Sequence, residues 1–209
     1  MRLVLASNNA KKLAELRLLF APLRFDGFSG AELGLTEPKE PYRSFIENAL
    51  VKARHAARHA ACAAIADDSG LCVDALGGAP GVDSAHYAQI HLAPAERETQ
   101  RRAQDQANNT LLLERLGGTA DRRAHFHCTL VALRSADDAE PLIAVGRWPG
   151  EVLDAPRGSG GFGYDPLMFI PALGKTVAEL SADVKNALSH RALAAQQMLS
   201  AMRESWHLA

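Results

Sequence analysis

Short unbroken apolar runs alternate with helical stripes along this chain, and the two patterns interleave. Residues 2–7, RLVLAS, form a brief apolar run that breaks into Ser-Asn-Asn, the pattern of a buried strand entering a loop. Leu13, Leu16, Leu19 and Phe20 then recur at helical spacing up to Pro22, which predicts a helix directly after that loop. Residues 24–41 are rich in Gly, Pro and acids and read as a connection. Ser44 and Glu47 make an S-x-x-E capping box, introducing a helix through about His59.

Residues 63–66, AAIA, predict a small buried strand with Asp67 and Asp68 at its carboxyl end, and residues 71–76 a second strand. A tight GGAPG loop follows. Residues 96–116 predict a long polar helix closed by Gly117-Gly118. Strands are expected over 124–133, 142–145 and 151–153, and a glycine-rich loop over 157–166. Ser181 caps a short helix, and Ser189 a final one carrying Leu193, Met198, Leu199 and Met202. With no internal repeat and no clear linker, residues 1–209 read as a single mixed α/β domain.

Composition narrows the function classes. Over 209 residues, 47% apolar and 22% charged content is that of an ordinary globular chain and argues against disorder. A net charge of −1 lacks the basic excess of a nucleic-acid polymer or membrane-surface binder. Three cysteines without CxxC spacing suggest neither a disulfide framework nor a zinc knuckle. No signal peptide or membrane span is read, so a reducing cytoplasm is the expected location.

Four segments carry candidate chemistry. SNNAKK (Ser7, Asn8, Asn9, Ala10, Lys11, Lys12) joins a strand to a helix, where amides, helix dipole and lysines suit an anion; a plain helix cap is the alternative. Asp67 and Asp68 suit Mg²⁺ and a water-derived proton, or form a polar turn; Glu40 is a candidate second metal ligand. Residues 158–163 satisfy G-x-G-x-x-G, but late in the chain and before Tyr-Asp-Pro, so a dinucleotide fold is rejected. That loop offers Phe162 and Tyr164 to a planar ligand, or is a glycine turn with core aromatics. Lys185, Ser189, His190 and Arg191 form a polar cluster in which His190 and Arg191 are candidate donors for base carbonyls; a capped, solvated helix end is the alternative. His55/His59 and His125/His127 lack a third ligand, and the charged helical face over 96–105 reads as solvated.

Taken together, SNNAKKLAEL, FIENALVKARHAA, ADDSGLCVDALGGAPGVDSAHYA, FHCTLVAL, WPG, GGFGYDPLMF and KNALSHRAL strongly resemble the inosine/xanthosine triphosphate pyrophosphatase family, across nearly the whole chain. The resemblance implies a mixed α/β fold with a long sheet, flanking helices and two lobes around a cleft. It also implies a homodimer that hydrolyses non-standard purine nucleoside triphosphates (ITP, dITP, XTP) to monophosphate and pyrophosphate with Mg²⁺. Carried onto matching positions, Ser7, Asn8, Asn9, Ala10, Lys11 and Lys12 contact the triphosphate. Asp68 is proton acceptor and metal ligand, Glu40 a further ligand and Ser69 a substrate contact. Phe162, Gly163, Tyr164, Asp165, Lys185, His190 and Arg191 bind the nucleotide. Beyond the resemblance, Lys52 is a candidate to assist Lys12 in offsetting charge that develops toward pyrophosphate. One departure is His86, where relatives commonly carry arginine. Rival readings are a pyrophosphatase for modified pyrimidine nucleotides and a nucleotide sensor without catalysis.

Overall fold

The computed structural model describes residues 2–7, 9–23, 26–30, 32–36, 38–91 and 96–207. Its strands are β1 (Arg2–Ala6), β2 (Asp26–Ser29), β3 (Ala63–Val73), β4 (Arg123–Leu133), β5 (Leu142–Val152), β6 (Met168–Ile170) and β7 (Lys175–Thr176). They join one sheet in the order β2-β1-β3-β4-β5-β6-β7. β1 runs parallel to both β2 and β3, whereas β5–β6 and β6–β7 are antiparallel. The helices are α1 (Ala10–Phe20), α2 (Phe45–Ala60), α3 (Arg97–Leu116), α4 (Ala182–Leu188) and α5 (His190–Trp206). The mixed α/β class with flanking helices is as expected.

Two compact units divide the chain. The first comprises residues 1–68, 128–147 and 186–209; the second comprises 69–127 and 148–185. In the first, β-strand alternation sorts side chains onto two helical layers. Leu3, Leu5, Ala63 and Ile65 pack with Leu16 and Phe20 of α1 and Ala194, Ala195, Met198 and Met202 of α5. Val4, Ala64 and Ala66, one position out of phase, pack with Ala49, Ala53, Ala56 and Ala57 of α2. Alanine dominates α2's buried stripe, which lets that helix lie close to the strands. The second unit has its own core of Leu71, Leu112, Leu116, Phe126, Trp148, Tyr164, Leu167 and Met168.

Three differences from the expected elements have physical reasons. A strand, a turn and a second strand were expected over 63–76, but β3 is one strand of 11 residues that carries Asp67 and Asp68 in its interior. The acids find cationic partners on both faces, so the polar pair does not break the ladder. Likewise 142–145 and 151–153 belong to one strand, β5, which continues through Pro149. Gly150 permits the approach of β6, since a Cβ there would sit 2.3 Å from Phe169 O. Finally, β2 lies in the Gly/Pro-rich stretch read as a connection, and β6 and β7 are too short for a periodicity signal.

Candidate active site

Strand parity decides what the two acids meet. Ala63 and Ile65 face α1 and α5, so Asp67 does too; Ala64 and Ala66 face α2, and so does Asp68. Both are buried, at 2% and 6% exposure. Asp67 receives Lys12 Nζ at 2.9 Å and lies 3.9 Å from Arg191 Nη2. Arg191, itself 2% exposed, also pairs with Glu15 through Nη1. Burial alone would raise the Asp67 carboxyl, but Lys12, then Arg191 and Lys52, hold it far below the usual carboxylate range. It is a fixed anion.

Asp68 has a different setting. Asn48 and Lys52, one turn apart on α2, reach it with Nδ2 at 3.4 Å and Nζ at 3.0 Å. Lys52 Nζ also donates to Glu40 Oε2 at 2.8 Å, so two carboxylates converge on one cationic centre. Burial raises the Asp68 carboxyl; Lys52 and Lys12 oppose this, and Glu40 adds to it. Lys52 is raised to about 12, because the charges of Asp68, Asp67 and Glu40 outweigh the burial that would lower it. Oxygen donors gathered on a shared cation are what Mg²⁺ selects, and it commonly takes one or two carboxylates plus phosphate. Asp68 and Glu40 therefore fit a hard divalent cation, although no set of three or more His, Cys, Asp or Glu ligands is present among the described residues.

The loop between β1 and α1 is built as a helix entry. Asn9 caps α1, its Oδ1 accepting from the Lys11 and Lys12 amides at 3.1 and 3.3 Å. Ser7 Oγ accepts from Asn9 N at 3.3 Å. Lys11 is half-buried and Ala10 exposed; Asn8 lies outside the described residues.

In the second unit, Asp165 Oδ2 accepts the Phe162 amide at 2.9 Å and Lys185 Nζ at 2.8 Å. The Lys185 ammonium sits 4.4 Å from the centre of the Phe162 ring, a cation–π arrangement. Gly161 can only be glycine beside them, since a Cβ there would lie 2.1 Å from Asp165 Oδ2. Tyr164 differs from Phe162: its ring is in the core and its hydroxyl donates to Ser84 O at 3.0 Å. Ser69 is half-buried on β3, and His190 is buried at the start of α5, whose cap is Ser189.

Comparison with known proteins gives the family. The sequence profile of the Ham1 family matches residues 3–201. The chain belongs to the Ham1 family. A protein of Methylibium petroleiphilum named dITP/XTP pyrophosphatase is 67% identical, over 99% of both chains. One of the same name from Leptothrix cholodnii is 63% identical over 100% of both. A Ham1 protein structure from Coxiella burnetii superposes with a TM-score of 0.86 at 39% identity, covering 98% of this chain and 99% of that one. A Mycobacterium abscessus structure titled nucleoside-triphosphatase / dITP/XTP pyrophosphatase gives 0.72 at 36% identity, covering 97% and 98%.

Within this Ham1 chain, the structure gathers Lys12, Asp67 and Arg191 in one cluster, Glu40, Lys52 and Asp68 in a second, and Phe162, Asp165 and Lys185 in a third. Two participants escaped sequence reasoning. Glu15 lies three residues beyond Lys12 on α1, and Asn48 four before Lys52 on α2. Asn48 carried a signal, a polar residue among the buried alanines of α2, whereas half-buried Glu15 carried none. The histidine pairs belong to no set of three or more His, Cys, Asp or Glu ligands among the described residues. The His55 and His59 rings lie 4.4 Å apart, tilted by 55°, and His125 and His127 meet edge-on at 6.5 Å. Burial, with the Asp67 charge, pushes the Cys128 thiol up to about 12, so it is no nucleophile at neutral pH.

Proposed function

We propose that the chain hydrolyses XTP, dITP and ITP to the nucleoside monophosphate and pyrophosphate, using Mg²⁺ held by Asp68 and Glu40. The observation that carries this reading is Asp68: a buried carboxylate reached by Asn48 and Lys52, whose ammonium it shares with Glu40, next to Asp67 with its own cations Lys12 and Arg191. The names of the relatives support the substrate class. Water attacks the α-phosphorus, the bond from that phosphorus to the oxygen bridging it to the β-phosphorus breaks, and pyrophosphate leaves. Asp68 accepts the proton from the attacking water, a role open to a carboxylate set beside Lys52 and Glu40. Bound Mg²⁺ supplies charge neutralisation on the phosphates. Lys12 and Lys52 offset charge developing on the leaving group, and Asp67, anchored by Arg191, keeps Lys12 in position.

Substrate contacts carried over from the resemblance are Ser7, Asn8, Asn9, Ala10, Lys11 and Lys12 for the triphosphate, Ser69, and then Phe162, Gly163, Tyr164, Asp165, Lys185, His190 and Arg191 for the nucleoside. Donors aimed at the purine 6-oxygen would be left unpaired by adenine, a mismatch worth about 10⁴-fold in discrimination. The same resemblance supports a cytoplasmic homodimer in which residues 1–209 act as one functional domain. No described helix is long and apolar enough to cross a membrane.

Turnover of XTP, dITP and ITP against dATP, dGTP and modified pyrimidine triphosphates, with separate assays for pyrophosphate and orthophosphate, tests the reading. Preference for the first three with pyrophosphate as product is expected. Equal rates throughout, or orthophosphate as the first product, would overturn it. Asp68→Asn lowers kcat by about 10³-fold with the fold retained; a fully active variant would remove Asp68 from the mechanism.

A further inference from the structure

Helix α3 holds the loop that carries Phe162 by both backbone polar groups of a single residue, Gly163. Gly163 sits in left-handed backbone at φ +62°, and a Cβ there would meet nothing within 4 Å, so glycine is needed for its dihedral and not for space. Its amide donates to Asp105 Oδ2 at 2.8 Å, and its carbonyl accepts from Asn109 Nδ2 at 3.0 Å. Asp105 and Asn109 are one turn apart on α3 and more than 50 positions away in sequence. Gly163 has no side chain to pack, so these two bonds add a second hold to the one that Asp165 and Lys185 already have on Phe162.

The helix itself is fixed by its next stripe. Gln104 Nε2 donates to Ala88 O at 2.8 Å, while Asn108 accepts the Ala88 amide at 2.9 Å and donates to Ser84 O and Ala85 O. Asn109 is also a poor choice for stability alone. Its Oδ1 is buried without a hydrogen-bond partner among the described residues, an arrangement that costs free energy which an apolar side chain would spare.

We propose that Asp105 and Asn109 are positioning residues for base recognition: by gripping Gly163 they set the angle of the Phe162 ring against the purine. This rests on the function proposed above. The groups assigned to phosphate and proton transfer (Lys12, Lys52, Asp68) are other residues, so the effect falls on nucleoside binding.

Asp105→Ala and Asn109→Ala, each alone and each with Phe162→Ala, test it. Expected in the single variants is a rise in KM for XTP and dITP of about tenfold, with kcat within about twofold and weaker preference over dATP and dGTP. Inorganic tripolyphosphate, which has no base, should bind each variant as it binds the parent. In the Phe162→Ala background, Asp105→Ala should add little, because its route of action is already lost. Full additivity, loss of tripolyphosphate binding in step with nucleotide binding, or unchanged KM and preference would each overturn the proposal. Should Asp105→Ala fail to fold, Asp105→Asn keeps the shape and one acceptor oxygen and should show a smaller shift in the same direction; no shift there counts against the inference. If the parent protein neither binds nor hydrolyses these nucleotides, the functional reading itself falls, and this inference with it.

Discussion

Tyr164 and Phe162 stand two residues apart in one glycine-rich loop, yet only Phe162 keeps a half-exposed ring. The Tyr164 hydroxyl donates to Ser84 O from within the core, and burial, with Tyr87 and Asp105 nearby, pushes the phenol well above its ordinary value. Because the folded pKa exceeds the unfolded one near 10, the folded state keeps a proton that the unfolded chain releases. The resulting stabilisation is complete below about pH 10 and is lost as pH rises through the folded pKa. Tyr164→Phe should therefore cost about 1 kcal/mol at pH 8 while flattening the alkaline fall in stability, as read by urea unfolding from pH 8 to pH 11. Parallel pH curves for the two proteins would refute this. Sequence offered no means of dividing these two aromatics, since either fits a ligand platform or a core. The deciding contact reaches 80 positions back to Ser84.

At the scale of elements, the helices were the most legible parts. Ser44, Ser189 and the Gly117 stop all act as their types suggest, because capping is a local interaction that sequence records directly. The strands were less so. The polar interior of β3 and Pro149 in β5 imitate turns, and only tertiary partners such as Lys12 and Lys52 reveal that they are not. One contact between elements yields a sharp expectation. A Cβ on Gly146 of β5 would lie 1.9 Å from His190 O and 2.7 Å from Ala194 N, at the first turn of α5. Gly146→Ala should destabilise the protein by about 3 kcal/mol, as measured by chemical denaturation. It should also lower activity by shifting Arg191 from Glu15 and Asp67. A variant of unchanged midpoint and turnover would show that α5 moves aside at no cost.

At the scale of the whole molecule, the near-neutral charge means that affinity for a highly charged nucleotide has to come from local clusters and not from a global field. Binding should then appear as ligand-linked stability. An α,β-methylene analogue of ITP with Mg²⁺, at about a hundred times its Kd, should contribute about 2.7 kcal/mol and raise the unfolding midpoint by about 5–10 °C. The same concentration of the ATP analogue should give a far smaller shift; equal shifts would remove base discrimination from the binding step. The family and fold class were legible because several motifs occur in one order along the chain. The pairing of Asp67 with Lys12 and Arg191, and of Asp68 with Lys52, was not, because it depends on which way each side of β3 faces.

That dependence gives the acid pair an unusual sensitivity to chain length. The assignment of Asp67 and Asp68 to opposite layers is a matter of odd and even, counted from Ala63. Deleting one residue between Ala63 and Ala66 would leave both acids in the protein and exchange their surroundings: Asp67 would face Lys52, and Asp68, the proposed proton acceptor, would face Lys12 and Arg191. Deleting two would restore the pattern and only shorten the strand. For anyone redesigning this enzyme, the count of residues before the pair is thus as much a part of the proposed active site as the carboxylates themselves.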